Sequence, residues 1–227
     1  MSNMEIAVTR KVAGEFLGSA LLTIVVVGSG IAAQQLSTDI GLQLLENTLA
    51  TVFGLAVLIT VLGPLSGAHF NPMVSFAAVV ERTLPLRDAL CYLPAQVAGC
   101  VLGAVTANVM YAKAAISFST HNRVSGPHFL SEALATAGLI FVIIALQRVD
   151  RGAWSAAIVA SYIGAAYYCT SSTSFANPAI TVGRMMSDSF AGIAPGSVLF
   201  FIAAQILGGV LGLVAVNLLW PRTNEIR

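Results

Sequence analysis

Two short stretches of the chain combine small residues with an Asn-Pro pair, a pattern that could place polar groups at helix ends. One covers residues 66–73 and the other covers residues 172–179. Asn is a preferred helix N-cap and Pro is favoured at the first helical position, so each stretch predicts a loop that opens a short helix. These helices are expected over about 71–80 and 177–186. The motif residues are Asn71, Pro72, Met73, Asn177, Pro178 and Ala179.

The chemistry of such a pair of loops is electrostatic. A helix N-terminus carries about half a positive elementary charge and several unpaired N–H groups. Two N-termini that face one pore would repel cations and protons near its middle, whereas neutral polar solutes could pass. The carboxamide oxygens of Asn71 and Asn177 would cap the helices and leave their N–H groups to point into the pore.

Two glutamates, Glu15 and Glu132, lie inside apolar stretches, where a carboxylate needs partners. One interpretation is structural: each accepts hydrogen bonds from the backbone of a loop. The other is a proton relay, which is less favoured because the two glutamates are symmetric and no chain of His or Lys accompanies them. His69 either lines the pore or holds its own loop. Gln96 and Gln205 are expected to bond across helices.

The composition indicates an integral membrane protein. Of the 227 residues, 57% are hydrophobic and only 9% are charged, and the mean hydropathy is +0.85. A soluble domain carries about 25% charged residues. The net charge of +1 argues against a nucleic-acid partner. The three cysteines have no metal-ligand spacing, so neither a metal site nor a disulfide framework is expected.

Six apolar stretches approach or exceed the about 20 helical residues that cross a bilayer. A signal peptide is the alternative interpretation of the first stretch, but Glu15 lies inside it and five more follow. The two half-helices are too short to cross, and their loops need burial in protein or a water-filled path. The expected spans are 12–33, 47–65, 86–110, 128–147, 153–171 and 195–219.

The distribution of basic residues predicts that both termini are cytoplasmic, in an inner or plasma membrane. With the N-terminus inside, the outside loops hold Lys113, Arg123 and Arg184, and the rest of the 11 Lys and Arg residues fall inside. The segment between the first two spans carries Asp39 and Glu46 but no Lys or Arg, as is typical of an outside loop.

The two halves of the chain repeat the same order of buried glutamate, Asn-Pro loop and glutamine. Repeat one covers about 10–112 and repeat two about 128–220. Three spans per half is an odd number, so the second half must be inserted upside down, as in the inverted repeats of channels and secondary transporters. Glycines four residues apart predict close helix contacts within the protomer. They are Gly99, Gly103, Gly208 and Gly212.

These motifs resemble those of the aquaporin (major intrinsic protein) family over about residues 10–220. The matching segments are Ser66-Gly67-Ala68-His69-Phe70-Asn71-Pro72 and Asn177-Pro178-Ala179, together with the paired Glu and Gln positions. The resemblance implies an all-α membrane fold with six transmembrane helices and two re-entrant half-helices, and one aquaporin-like channel domain over 1–227. It also implies a homotetramer in a lipid bilayer that conducts water or small uncharged solutes without a cofactor, and not an enzyme.

The chain departs from the family pattern in its narrow filter. Family members usually have Arg after the second Asn-Pro-Ala, where this chain has Ile180, and in this it resembles a bacterial subgroup that lacks the filter arginine. Arg184 lies about two turns into the half-helix and is not expected to replace the missing group. In the first motif, Met73 stands where the family has Ala, and it brings a larger side chain near the midplane.

The resemblance implies three further filter positions. The second span is expected to supply Phe53, with Thr51 as the competing candidate. The fifth span supplies Ala165, or Gly164, where water-selective members have a His. Ser174 is expected to form the loop wall.

Loss of the Arg and His donors predicts a wide, apolar filter that passes water and larger neutral solutes, such as glycerol, urea and arsenite-type metalloid hydroxides. A coupled secondary transporter that uses Glu15 and Glu132 is the alternative. A membrane enzyme is disfavoured because the spans contain no recognisable catalytic motif.

Overall fold

In the computed structural model, residues 6–221 are described, so Arg222 and Arg227, which the orientation argument counts, lie outside this range. The described chain folds into α-helices joined by loops, with one short 3-10 helix at Gly152–Trp154. The α-helices are α1 (Val8–Leu36), α2 (Ile40–Ser66), α3 (Pro72–Val80), α4 (Leu86–Met110), α5 (Gly126–Arg148), α6 (Ser155–Cys169), α7 (Pro178–Arg184) and α8 (Pro195–Leu219).

Local sequence signals begin several of these helices. The side chain of Asp39 accepts a hydrogen bond from Leu42 N (2.9 Å) at the start of α2. Ser125 caps α5 in the same way, through His128 N (3.2 Å). Proline occupies the first helical position of α3, α7 and α8 and the second position of α5, where its missing N–H costs nothing.

The expected all-α architecture is confirmed, and the two Asn-Pro stretches open short helices as predicted. Five described helices, α1, α2, α4, α5 and α8, are long and apolar enough to cross a membrane. The sixth predicted span, 153–171, is α6, which has only 15 residues. At about 1.5 Å per residue, α6 is about 22 Å long and falls short of a full hydrocarbon core.

Helix pairing follows the expected two-fold relation between the halves. α1 packs most extensively on α4, and α5 packs on α8. The glycines that were predicted to allow close packing lie in these two interfaces. A Cβ on Gly103 would collide with Ala20 O, and one on Gly212 would collide with Ala137 O. Backbones can approach this closely only without a side chain at these positions.

The outside of the bundle is apolar, as a surface in contact with lipid requires. Large hydrophobic side chains such as Val57, Leu199 and Leu218 are exposed on it. In contrast, Glu15, Glu132, Gln96 and Gln205 are completely buried. The polar groups that matter for the site are therefore inside the bundle.

Candidate functional site

The two Asn-Pro loops meet inside the bundle and hold each other. Asn71 Nδ2 donates to Ala176 O (2.8 Å), and Asn177 Nδ2 donates to Phe70 O (2.7 Å). The oxygens of the same side chains cap the half-helices: Asn71 Oδ1 accepts from Met73 N (2.9 Å) and Asn177 Oδ1 from Ala179 N (2.9 Å). Each amide nitrogen keeps a second N–H, and both asparagines line the cavity described below.

The loops share an unusual backbone conformation at matched positions. Ala68 and Phe70 in the first loop have φ of 51° and 49°, and Ser174 and Ala176 in the second have φ of 48° and 46°. This left-handed region costs an L-residue other than Gly about 1–2 kcal/mol. The loops therefore need outside support to keep this shape.

Glu15 supplies that support for the first loop. Its Oε1 accepts from Ser66 Oγ (2.7 Å) and His69 N (3.0 Å), and its Oε2 accepts from Phe70 N (2.6 Å) and Gln96 Nε2 (2.8 Å). Both carboxylate oxygens of Glu15 thus accept hydrogen bonds, three from the first loop and one from α4.

Glu132 repeats the arrangement in the second loop. Its Oε1 accepts from Ser172 Oγ (2.6 Å) and Phe175 N (2.8 Å), and its Oε2 accepts from Ala176 N (3.0 Å) and Gln205 Nε2 (2.7 Å). Neither Glu15 nor Glu132 is among the residues that line the cavity. These are the contacts that the loop-supporting interpretation requires.

His69 both lines the cavity and contacts residues of its own half of the protein, the two roles that the sequence left open. Its Nδ1 lies 3.0 Å from Ser75 Oγ, and its ring meets the edge of the Tyr92 ring at 5.7 Å between centroids. It also lines the cavity. The side chain is therefore fixed inside its own half of the protein while it faces the cavity.

A cavity of about 150 Å³ is lined by both Asn71 and Asn177, among other residues. α6 lines it with Ser155, Val159, Ile163 and Tyr167, each four residues apart, over about 18 Å at the rise of an α-helix. Most lining residues are apolar, and polar groups are few: Thr51, His69, Asn71, Gln147, Ser155, Tyr167, Ser174, Asn177 and Arg184.

Two of the residues expected in the filter lie outside the cavity lining. Phe53 does not line the cavity, because its side chain is 66% exposed on the outside of the single chain. Thr51, the competing candidate, lines it instead. Two residues along a helix turn a side chain by about 200°, so both cannot face the same way.

Both candidates from the fifth span also lie outside the cavity lining. Ala165 is exposed and Gly164 faces Val52 on α2, so neither lines the cavity. The lining residue is Tyr167, whose Oη shares a hydrogen bond with Thr51 Oγ1 (3.3 Å). Tyr167 was not predicted from the sequence, although its four-residue spacing from Ile163 is a signal that could have identified it.

The other two residues expected in the filter line the cavity. Ser174 and Ile180 both do so, and Ser174 Oγ has no hydrogen-bond partner among the described residues. Arg184 lines the cavity as well, one helical turn beyond Ile180. This position of Arg184 was not expected from the sequence. Residues four apart share a helix face, and the long arginine side chain reaches the cavity from that turn.

Met73 lies away from the cavity lining. It is 5% exposed, and its terminal methyl occupies the space that a side chain on Gly209 of α8 would need. The larger residue in the first motif is therefore accommodated by the absence of a side chain on the facing helix, and it packs between α3 and α8.

This contact predicts a coupling between the two positions. Gly209→Ala is expected to destabilise the protein by about 1–3 kcal/mol through overpacking, and Met73→Ala in the same chain is expected to recover part of that loss. The thermal unfolding midpoint in detergent measures both. Gly63→Ala is the matched control, because no atom lies within 4 Å of a Cβ at Gly63. Additive effects of the Met73 and Gly209 changes would contradict the coupling.

Within residues 6–221, no three His, Cys, Asp or Glu side chains converge on a site that could hold a metal ion. The chemistry of the cavity rests on neutral polar groups, two helix N-termini and one arginine.

Comparison with known proteins identifies the family. Residues 2–171 match the family model described as "Major intrinsic protein". The chain is 43% identical over 226 residues to "Aquaglyceroporin AqpS" of Rhizobium meliloti (strain 1021), which covers 98% of this chain and 96% of that protein. It is 31% identical to "Aquaporin-7-1" of Laccaria bicolor, over 91% of this chain and 72% of that protein.

A comparison of structures agrees with this family assignment. The X-ray structure of the aquaglyceroporin from Plasmodium falciparum superposes with a TM-score of 0.70 at 23% identity, over 95% of this chain and 96% of that one. The chain therefore belongs to the major intrinsic protein (aquaporin) family, and it is a multi-pass membrane channel and not an enzyme.

Proposed function

We propose that this channel passes water and small uncharged solutes through a filter that is wide at the level of Ile180, with glycerol, urea and arsenite-type metalloid hydroxides as candidate solutes. The observation that carries the proposal is the lining around the second loop. Ile180 lines the cavity at the position where the family usually has an arginine, and the short side chains of Thr51 and Ser174 line it as well. A relative named as an aquaglyceroporin is consistent with solutes larger than water.

A passive channel is favoured over a coupled transporter. Glu15 and Glu132 are the carboxylates that a coupling site would need inside the membrane. Each carboxylate already accepts four hydrogen bonds, three from its own loop and one from a glutamine on a neighbouring helix. Neither faces the cavity. The two half-helix N-termini, capped by Asn71 and Asn177, then contribute to the selection against cations at the centre of the protein.

The proposal includes the biological setting. The chain is one channel domain made of two inverted repeats, it sits in the cell membrane with both termini in the cytoplasm, and it assembles as a homotetramer with a pore in each protomer. The distribution of Lys and Arg supports the orientation. The family supports the tetramer.

Stopped-flow light scattering on proteoliposomes tests the filter. The protein is expected to pass water, glycerol, urea and arsenite, and Ile180→Arg is expected to keep water permeation and to lose most permeation of the larger solutes. An arginine at position 180 would add bulk and charge at the start of α7, close to the asparagine caps.

Ile180→Leu is the matched control, because it changes shape without adding charge, and it is expected to leave all four permeabilities nearly unchanged. If the unmodified protein passes water alone, the wide filter is wrong. If Ile180→Arg passes the larger solutes at the native rate, the selectivity lies elsewhere in the cavity.

A further inference from the structure

Two arginines converge on one aromatic ring at the end of the cavity where α7 ends. The Arg184 guanidinium carbon lies 3.3 Å from the centroid of the Phe175 ring, and that of Arg123 lies 5.2 Å from the same centroid. Phe175 and Arg184 both line the cavity. We call these three residues the arginine stack. Arg123 comes from the connection between the two halves, far from Arg184 in sequence.

Neutral groups hold both guanidinium groups in place. Arg184 Nε donates to Ala191 O, and Arg123 donates to Gly192 O (2.9 Å) and Phe190 O (3.4 Å). Three consecutive carbonyls of the segment before α8 are thus used to position two positive charges. An aromatic ring face attracts a cation through its quadrupole without neutralising it.

The positive charges of the stack have no ion-pair partner. Within residues 6–221, no carboxylate lies within 4.0 Å of a nitrogen of either arginine. Arg184 is only 2% exposed, and its two terminal nitrogens make no hydrogen bond to another described residue. A buried donor group that lines a cavity and lacks a protein acceptor is left to bind what passes through the cavity.

A connection between segments fixes the site. Thr120 N donates to Asp188 Oδ1 (2.9 Å), and this hydrogen bond lowers the pKa of Asp188. Arg123 N donates to Ser197 Oγ (3.0 Å) at the start of α8. The segment that carries Arg123 is therefore bonded to the segment that carries the three carbonyls.

We propose that the arginine stack is the charge filter of this channel, in which Arg184, supported by Arg123 and Phe175, excludes cations and donates hydrogen bonds to neutral solutes. It takes the electrostatic part of the arginine that is absent at position 180, about 6 Å further along α7 at the helical rise. Size selection at Ile180 and charge selection at Arg184 are then separate. The inference rests on the proposed function, since it concerns the same cavity.

Urea and guanidinium are the probes that separate charge from size, because both are small and planar and only guanidinium is charged. In proteoliposomes the unmodified protein is expected to pass urea and to exclude guanidinium. Arg184→Gln is expected to keep urea permeation and to raise guanidinium uptake by about tenfold or more, because a fixed charge in a low-dielectric pore acts strongly on an ion. Arg184→Lys keeps the charge and is expected to keep guanidinium excluded.

Two further variants complete the test. Arg123→Gln is expected to raise guanidinium uptake less than Arg184→Gln does, because Arg184 lines the cavity and Arg123 does not. Arg151→Gln, at an exposed position outside the cavity lining, is the matched control and is expected to behave as the unmodified protein. If Arg184→Gln passes urea at the native rate and still excludes guanidinium, the proposal is overturned and the half-helix ends alone exclude cations.

The outcomes also distinguish this proposal from the wide filter. If the unmodified protein passes no urea, the wide-filter proposal is wrong. The arginine stack is then tested by proton flux, measured with a pH-sensitive dye enclosed in the vesicles. Arg184→Gln is expected to raise the proton flux and to retain water permeation. If Arg184→Gln does not fold, Arg184→Lys and Arg123→Gln decide. A folded Arg184→Lys that leaks guanidinium, or an Arg123→Gln without any rise, contradicts the proposal.

Discussion

Replacing Glu132 by alanine is expected to prevent the chain from reaching a stable folded state. The change removes four hydrogen bonds, and Ser172 Oγ, Phe175 N and Ala176 N lose their acceptor, whereas Gln205 Nε2 keeps only its bond to Thr181 Oγ1 (3.0 Å). Each unsatisfied buried donor costs about 1–3 kcal/mol. The same loop also holds Ser174 and Ala176 in left-handed backbone conformations, which lose their support. The yield of monodisperse protein in detergent and its thermal unfolding midpoint measure the effect.

Glu132→Gln gives the sharper comparison. The amide presents one acceptor oxygen and one donor nitrogen to a site that holds four donors, so a large fall in the unfolding midpoint is still expected. Glu15→Gln should behave in the same way, because Glu15 has the same four kinds of partner. Asp150→Asn, at an exposed loop position, is the control. A proton relay predicts the opposite: normal folding and a changed pH dependence of transport.

Enlarging Thr51 is expected to block the channel. Thr51 lines the cavity and shares a hydrogen bond with Tyr167, which also lines it, so a phenylalanine at position 51 would project its ring into the path. We expect Thr51→Phe to lower the permeation of urea and glycerol by about tenfold or more, since pore diameter at a constriction controls passage. Water permeation is expected to fall less. Stopped-flow light scattering measures each solute.

Phe53→Ala on the same helix is the matched control. Phe53 is exposed on the outside of the single chain, so its removal is expected to leave permeation unchanged. Thr51→Leu is a smaller enlargement that should give an intermediate loss and guards against a folding defect in Thr51→Phe. If Phe53→Ala changes solute selectivity while the Thr51 variants do not, the assignment of α2 lining residues is wrong.

Several features of this protein could be predicted from short sequence patterns alone. The low charge content and the apolar stretches determined that the chain is a membrane protein, because unpaired charges are costly in lipid. The Asn-Pro pairs determined where the half-helices begin, because Asn capping and Pro at the first helical position are properties of a few adjacent residues. The buried glutamates were marked by their type alone, since an acidic residue in an apolar span needs a function or a partner.

Only the tertiary structure decided which side chains reach the cavity. Phe53 and Thr51 differ by two positions, and the sequence cannot tell which of them faces inward when the rotation of α2 is set by packing on α1 and α6. The same holds for Ala165 and Tyr167 on α6. Arg184 and Arg123 are far apart in sequence and meet at Phe175 only because two loop segments fold over the end of α7. Local patterns encode helix ends and burial, whereas helix rotation and loop closure depend on contacts between distant parts of the chain.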